Sequence, residues 1–321
     1  MRRGGSGYAA SVRRAAPLLL LIVVSCVACG GSSASRPAGP TLAAVVGTPG
    51  ATTVVTPDLV VFGGTDFPTG HAVRLPFQLF QKDGKVVQPD GGRALLYLAQ
   101  SADATALGPY PVTELSLAGH GVHFDPAGPQ TILVADAVPL PAAGAWYAVV
   151  TFTVAGEQAA ASNQFSILPR EATPPIGSSA PATATPTLRD VGGDGQKIST
   201  QRPVDASLLQ HSVKDLLAKH RPFVVVFATP RFCTSRLCGP IVDIVGNVQR
   251  ALRGTGLAFV HAEIYANLDP QQGASPWVLA WGLPTEPWVF VVNRQGRITA
   301  KFEGAVTEQE LTQAGRAALA G

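Results

Sequence analysis

Cys233 and Cys238, with four residues between them, are the side chains in this sequence best suited to chemistry. They lie in the segment Phe227-Ala228-Thr229-Pro230-Arg231-Phe232-Cys233-Thr234-Ser235-Arg236-Leu237-Cys238-Gly239-Pro240. A thiolate is the attacking species in disulfide exchange, and its pKa falls at the start of a helix, where unpaired backbone N–H groups and the helix dipole favour negative charge. Arg231 and Arg236 add to that effect if their side chains approach. Five steps along a continuous helix rotate about 140°, so the pair needs a curled turn to come within bonding reach.

The flanking sequence supplies such a turn. Phe223 to Ala228 is a continuous apolar run after Pro222, the pattern of a strand buried on both faces. Pro240 to Leu252 carries Ile241, Ile244, Val245, Val248 and Leu252 at helical spacing and stops at Gly254. Cys233 therefore follows a buried strand, and Cys238 sits at the start of a helix. Upstream, Asp205 or Ser207 caps a helix with Leu208, Leu209, Val213, Leu216 and Leu217 on one face. Downstream come a strand at Leu257–Ile264, a short helix at Trp277–Trp281, a hairpin of Trp288–Asn293 with Arg297–Glu303, and a last helix to Leu319. Thr307 and Glu310 form that helix's capping box.

This order and its residues resemble the thioredoxin superfamily, especially its exported members, over about Leu208 to Leu319. Ala280-Trp281-Gly282-Leu283-Pro284-Thr285-Glu286-Pro287-Trp288-Val289-Phe290 is similar to that family's approach to its cis-proline and following strand. Asn293-Arg294-Gln295-Gly296-Arg297 and Glu303-Gly304-Ala305 are similar to its hairpin and to the glycine before its last helix. The resemblance implies an α/β thioredoxin-like fold, with Pro287 as a cis-proline facing the cysteines and helping to bind an extended partner strand. It places Phe232, where the family carries tryptophan, and Glu286 in that groove, where Glu286 disfavours acidic partners. The departures are specific. The family's Cys-Gly-Pro-Cys is replaced by a spacing two residues longer, and Gly239-Pro240 follow Cys238, as though Ile241 had replaced the second cysteine. Placement after the strand instead makes Cys233 the attacker and Cys238 the resolver, the assignment favoured here. The family's buried aspartate is Val226, which removes that route for a proton.

The rest of the chain reads as export apparatus and a second fold. Arg2, Arg3, Arg13 and Arg14 precede an apolar run from Ala15 to Ala28, too short for a spanning helix and suited to an export signal. Val23-Val24-Ser25-Cys26 resembles a bacterial lipoprotein signal with Cys26 as the lipidated residue. Cys29, before Gly30-Gly31-Ser32-Ser33, is the alternative acceptor, and cleavage near Ala28 without lipid is a third. The expected organisation is a signal over 1–29, a flexible tether over 30–52, a β domain over 53–168, a Pro/Ala/Thr linker over 169–190 and the thioredoxin-like domain over 191–321. The β domain shows about seven short runs, at Thr53–Phe62, Leu75–Gln81, Ala94–Gln100, Val112–Leu117, Thr131–Ala135, Trp146–Val154 and Gln164–Leu168. Asp83-Gly84 marks a hairpin, and the pattern suggests an immunoglobulin-like β-sandwich with a binding or spacer role.

Charged residues make up 14% of the 321-residue chain and the net charge is +3, with no basic stripe, so a nucleic-acid partner is not expected. The expected function is thiol–disulfide exchange outside a bacterial membrane, on protein thiols or disulfides, with no cofactor and no metal. Two alternatives remain open. One is a redox-inert binding module whose two cysteines only staple it. The other, implied by copper-delivery proteins that share the thioredoxin-like fold, is Cu(I) carriage by the cysteines and a distant histidine. His261 is the candidate histidine and a core role its commoner explanation; His120, His123, His211 and His220 read as surface residues.

Overall fold

In the first half, alternating apolar residues build one large antiparallel sheet. The computed structural model describes residues 39–47, 59–81, 83–117 and 130–321. Strands β1 (Leu59–Phe62), β2 (Ala72–Phe80), β3 (Val86–Val87), β4 (Arg93–Ala99), β5 (Leu107–Ser116), β6 (Thr131–Pro139), β7 (Gly144–Val154) and β8 (Glu157–Ile167) pair in the order β1-β2-β6-β5-β4-β7-β8, with β3 on β2. The sheet curls until Pro68 and Leu168, beyond its two ends, form a bridge. Alternate side chains point inward (Leu75, Phe77 and Leu79; Leu96 and Leu98; Trp146, Val150 and Phe152) and fill one buried core. The pairing gives one curled sheet among the described residues, where an immunoglobulin-like sandwich was expected to divide into two.

The hairpin at Asp83-Gly84 forms as the sequence suggested, β2 pairing with β3. A second one escaped the sequence reading: β7 and β8 meet across Ala155-Gly156, both at positive φ, the two-residue turn that suits strand twist. The stretch read as a flexible tether needs correction, since Leu42–Val46 is a short helix, α1, whose Leu42 and Val45 pack on Ala99 and Val149. Residues 53–58 of the first expected strand, the signal with Cys26 and Cys29, and His120 and His123 lie outside the described residues.

The second half is a mixed sheet of four strands in the order β10-β9-β11-β12. β9 (Phe223–Phe227) and β10 (Ala258–Ala262) are parallel, whereas β11 (Trp288–Val292) runs antiparallel to both β9 and β12 (Ile298–Glu303). Helices α2 (Val213–Ala218), α3 (Cys238–Ala251), α4 (Pro276–Trp281) and α5 (Glu308–Ala320) complete it. One helix expected across Leu208–Leu217 is broken instead. Ala206–Leu209 is a 3-10 turn, and α2 starts afresh after Ser212, with Thr185 accepting the N–H of Val213 at 3.0 Å. Leu208, Leu209, Val213 and Leu216 are buried all the same.

The two halves share apolar packing. β6 is apolar on both faces: Leu133 and Ala135 enter the core of the curled sheet, while Ile132 and Val134 join Leu117 in the core built around α3, β9 and β11. Thus residues 39–321 form a single compact unit. The Pro/Ala/Thr stretch runs along the second sheet. Ala180 N–H bonds Gly296 O at 2.9 Å, Lys214 N–H bonds Thr183 O at 2.9 Å, and Trp281 Nε1 donates to the Thr183 hydroxyl at 3.2 Å. Among the described residues, no helix is long and apolar enough to cross a membrane.

Candidate active site

β9 is apolar at every position and wholly buried, so it fixes the point from which the Cys233 loop departs. Thr229 to Leu237 folds as consecutive turns, with Phe232 N–H bonded to Thr229 O at 3.1 Å and Arg236 N–H to Cys233 O at 3.4 Å. Helix α3 begins at Cys238 itself. Its N-cap residue, Leu237, brings no side-chain acceptor, so the first amides of the helix need another partner. The sulfur of Cys233 supplies it, accepting the N–H of Cys238 at 3.3 Å. The Ser235 hydroxyl stands 3.2 Å from the same sulfur.

These contacts split the two thiols. Cys233 is partly exposed and Cys238 buried, and the two are unbridged. The Cys233 pKa is drawn down from 9.0 to about 6, chiefly by its hydrogen bond with the Cys238 side chain, against burial, and with help from Ser235 and the amides of Cys238 and Leu237. Burial pushes Cys238 well up, and the neighbouring Cys233 adds to the rise. Arg231 lies over the Phe232 ring, 5.3 Å from its centre. The lowering of Cys233 thus rests on hydrogen bonds in place of the arginines that the sequence offered.

Several expected residues meet at this end of the sheet. Trp288, first in β11, pairs with Phe227, last in β9, so Pro287 and the cysteine loop leave the sheet at the same level. The Glu286–Pro287 peptide is cis and Pro287 is buried. Glu286 is half-buried, its pKa raised by that burial, and its carboxylate lies within electrostatic reach of Cys238 and Tyr265. Phe232 meets Tyr265 edge to face, ring centres 6.1 Å apart.

Val226 sits on β9 directly opposite His261 of β10. His261 is buried, with Nε2 3.2 Å from Ala228 O and Nδ1 3.5 Å from the Ser199 hydroxyl. Both ring nitrogens therefore face partners within the core. Next to it, buried Glu263 accepts from the Thr200 amide and hydroxyl at 2.5 and 2.7 Å, and the same hydroxyl accepts the Arg231 amide at 3.2 Å. The loop before Cys233 is tied in this way to β10.

Ser235 and Tyr265 were missed in the sequence. Ser235 carries a local signal, a hydroxyl two residues after Cys233, where it reaches neighbouring backbone and sulfur. Tyr265 follows the carboxyl end of a strand parallel to β9, the place where open α/β sheets gather their sites.

No protein-family model matches the chain, and no curated protein matches it. Among solved structures, the chain is similar to a thiol:disulfide interchange protein of the thioredoxin family from Chlorobium tepidum TLS, at 18% identity and a TM-score of 0.31, over 46% of this chain and 99% of that one. A second similarity, at 16% identity and a TM-score of 0.33, is to a protein described as thiol:disulfide interchange protein DsbE from Chlorobium tepidum, over 45% of this chain and 98% of that one.

Proposed function

We propose that the chain is a thioredoxin-like thiol–disulfide oxidoreductase that works through Cys233 and Cys238. The observation that carries this reading is the division of labour between the sulfurs: one partly exposed and lowered to about 6, the other buried and raised. An attacking thiol needs a populated thiolate and access to its target, whereas a resolving thiol works from behind, once a mixed disulfide has formed.

In the oxidising direction, the thiolate of a partner attacks one sulfur of the Cys233–Cys238 disulfide. A mixed disulfide forms at Cys233 and Cys238 leaves as the thiolate. A second partner thiolate then attacks the partner's sulfur, and Cys233 leaves with the bond's electron pair. Reduction of a partner runs these steps in reverse. Pro287, Phe232 and Glu286 border the groove in which the partner chain lies, and the half-buried Glu286 disfavours acidic partners. A purely structural disulfide gives no reason for one sulfur to be activated and its neighbour suppressed.

The remaining proposals rest on sequence. The chain is exported and held outside the membrane of a bacterium by lipid on Cys26 (or Cys29). Its partners are protein thiols or disulfides, and it is laid out as a β domain followed by a redox domain.

Trapping tests the reading. In the full chain, Cys238→Ala should accumulate a mixed disulfide with reduced-and-reoxidising test proteins, mapped to Cys233 by peptide mass, and Cys233→Ala should accumulate none. Equal trapping by both variants, or by neither, removes the assignment.

A further inference from the structure

The β half reaches the proposed groove through one carboxylate. Glu303 ends β12, almost fully buried, and three donors converge on it. From the loop that leads into Pro287 comes the Thr285 hydroxyl at 2.5 Å. From the β half come the Thr65 hydroxyl at 3.4 Å and the Asp66 amide at 2.9 Å. The Thr285 oxygen also accepts Trp288 Nε1 at 3.1 Å, and Gly304 N–H bonds Pro287 O at 2.9 Å. The loop carrying the cis peptide is therefore fastened at both ends to the end of β12, and that strand end is fastened to residues 65 and 66.

Backbone meets backbone at Gly304 and backbone meets the Glu303 carboxylate at Gly64, both too closely for a Cβ. A Cβ on Gly304, at φ +70, would stand 2.2 Å from Gly63 O, and one on Gly64 would stand 2.4 Å from a Glu303 oxygen. Around this point the seam is charged and satisfied. Lys301 donates to Asp66 at 3.3 Å, to Glu171 at 2.9 Å and to Thr173 at 2.9 Å. Arg74 grips Glu310, the capping residue of α5, through two hydrogen bonds of 2.8 and 3.3 Å.

We infer that Glu303 is a positioning residue through which the β half holds the Thr285–Pro287 loop in its groove-forming shape, so that the β half is part of how a partner chain is received. The inference rests on the thiol–disulfide reading for what the groove binds, and on geometry alone for the brace itself. No electron or proton passes through Glu303; it accepts hydrogen bonds from both sides and keeps them in register.

Two readouts on the full chain separate the brace from the chemistry. One is hydrogen exchange at the amides of Leu283, Thr285, Glu286, Trp288 and Gly304. The other is the reduction of insulin, a polypeptide disulfide, beside that of hydroxyethyl disulfide, which has no peptide strand to seat. Glu303→Ala should raise the KM for insulin about tenfold, as expected for losing a hydrogen bond to a charged group, and leave its kcat and the hydroxyethyl disulfide rate unchanged. The same variant should speed exchange at those amides, and Thr285→Val, which keeps Glu303 on the β half, should reproduce part of both effects. Wild-type exchange and wild-type KM in both variants overturn the inference. An equal fall with both disulfides also overturns it, because the role would then lie at the sulfurs. Should the wild-type chain reduce neither disulfide, the functional reading fails, while the exchange data still decide whether the brace exists.

Discussion

The sulfur of Cys233 accepts the backbone N–H of Cys238 at 3.3 Å, which is the first amide of α3 and one that no capping side chain serves. A cysteine sulfur thus serves the first amide of the helix, as a capping serine or aspartate oxygen serves the second or third. Ionised, it becomes a better acceptor and is favoured by the helix dipole; bridged to another sulfur, it gives up the negative charge.

The first consequence is a titration. Alkylation of Cys233 by iodoacetamide, followed on the reduced chain by peptide mass, should rise with a midpoint near pH 6, well below the ordinary thiol value of 9.0. Ser235→Ala removes a donor and should move the midpoint up, and Cys238→Ala, which removes the largest lowering contact, should move it further. A midpoint left in place in both variants would show that these hydrogen bonds do not set it.

The same shift links pH to stability in the reduced state. Because the folded pKa of Cys233 lies below its ordinary value, its contribution is complete above about 9 and is lost as the pH falls through about 6. Cys238 shifts the other way and acts only above the ordinary value. The unfolding free energy of the reduced chain should therefore gain a term between pH 6 and 9 that Cys233→Ala lacks. A pH dependence in this window that is identical in the variant would refute the shift.

The shared core predicts one unfolding transition. Ile132 lies in the curled sheet and Leu117 directly follows its strand β5, yet both pack with α3, β9 and β11. Truncating either to alanine should destabilise the entire unit by about 2–5 kcal/mol, the range for large-to-small changes in cores. Tryptophan fluorescence and reactivity of the buried Cys238 thiol should report a common midpoint in denaturant. Two separated midpoints would show the halves unfolding independently.

The charged seam gives a sharper case. Lys301→Met leaves Asp66 and Glu171 close together with their shared cation gone, and Asp66 is only 6% exposed. Breaking a buried pair by removing one partner costs about 3–5 kcal/mol, so urea midpoints should fall accordingly. Loss of less than about 1 kcal/mol would mark the cluster as behaving like an exposed ion pair.

What could be read in the sequence was local. The capping box of Thr307 and Glu310, the buried run of β9, the helix after the cysteines and the Asp83-Gly84 hairpin each depend on residues within a few positions, and each appears in the structure. The start of β8 was missed because Glu157 to Ala161 is small and polar, without the β-branched residues that announce a strand. The helix inside the expected tether was hidden because five residues are too few for a helical period to show. In β6, the run Ile132-Leu133-Val134-Ala135 did carry a signal of burial on both faces, since a sheet wet on one side would alternate. At the candidate site, the cysteines stood out by type, whereas the cis peptide before Pro287 was expected only from the family resemblance, since proline is common in this chain. Glu303 was not legible, because its donors at Thr65 and Thr285 come from opposite ends of the chain, and no spacing rule joins them.

A potential measurement addresses the central claim most directly. Equilibration of the full chain in glutathione buffers, read by the mass of the peptide that spans both cysteines, should give a reversible two-electron couple in which Cys233 and Cys238 are joined and released together. A peptide that keeps both thiols across the whole range, or that takes up a separate glutathione on each cysteine without ever joining Cys233 to Cys238, contradicts the account.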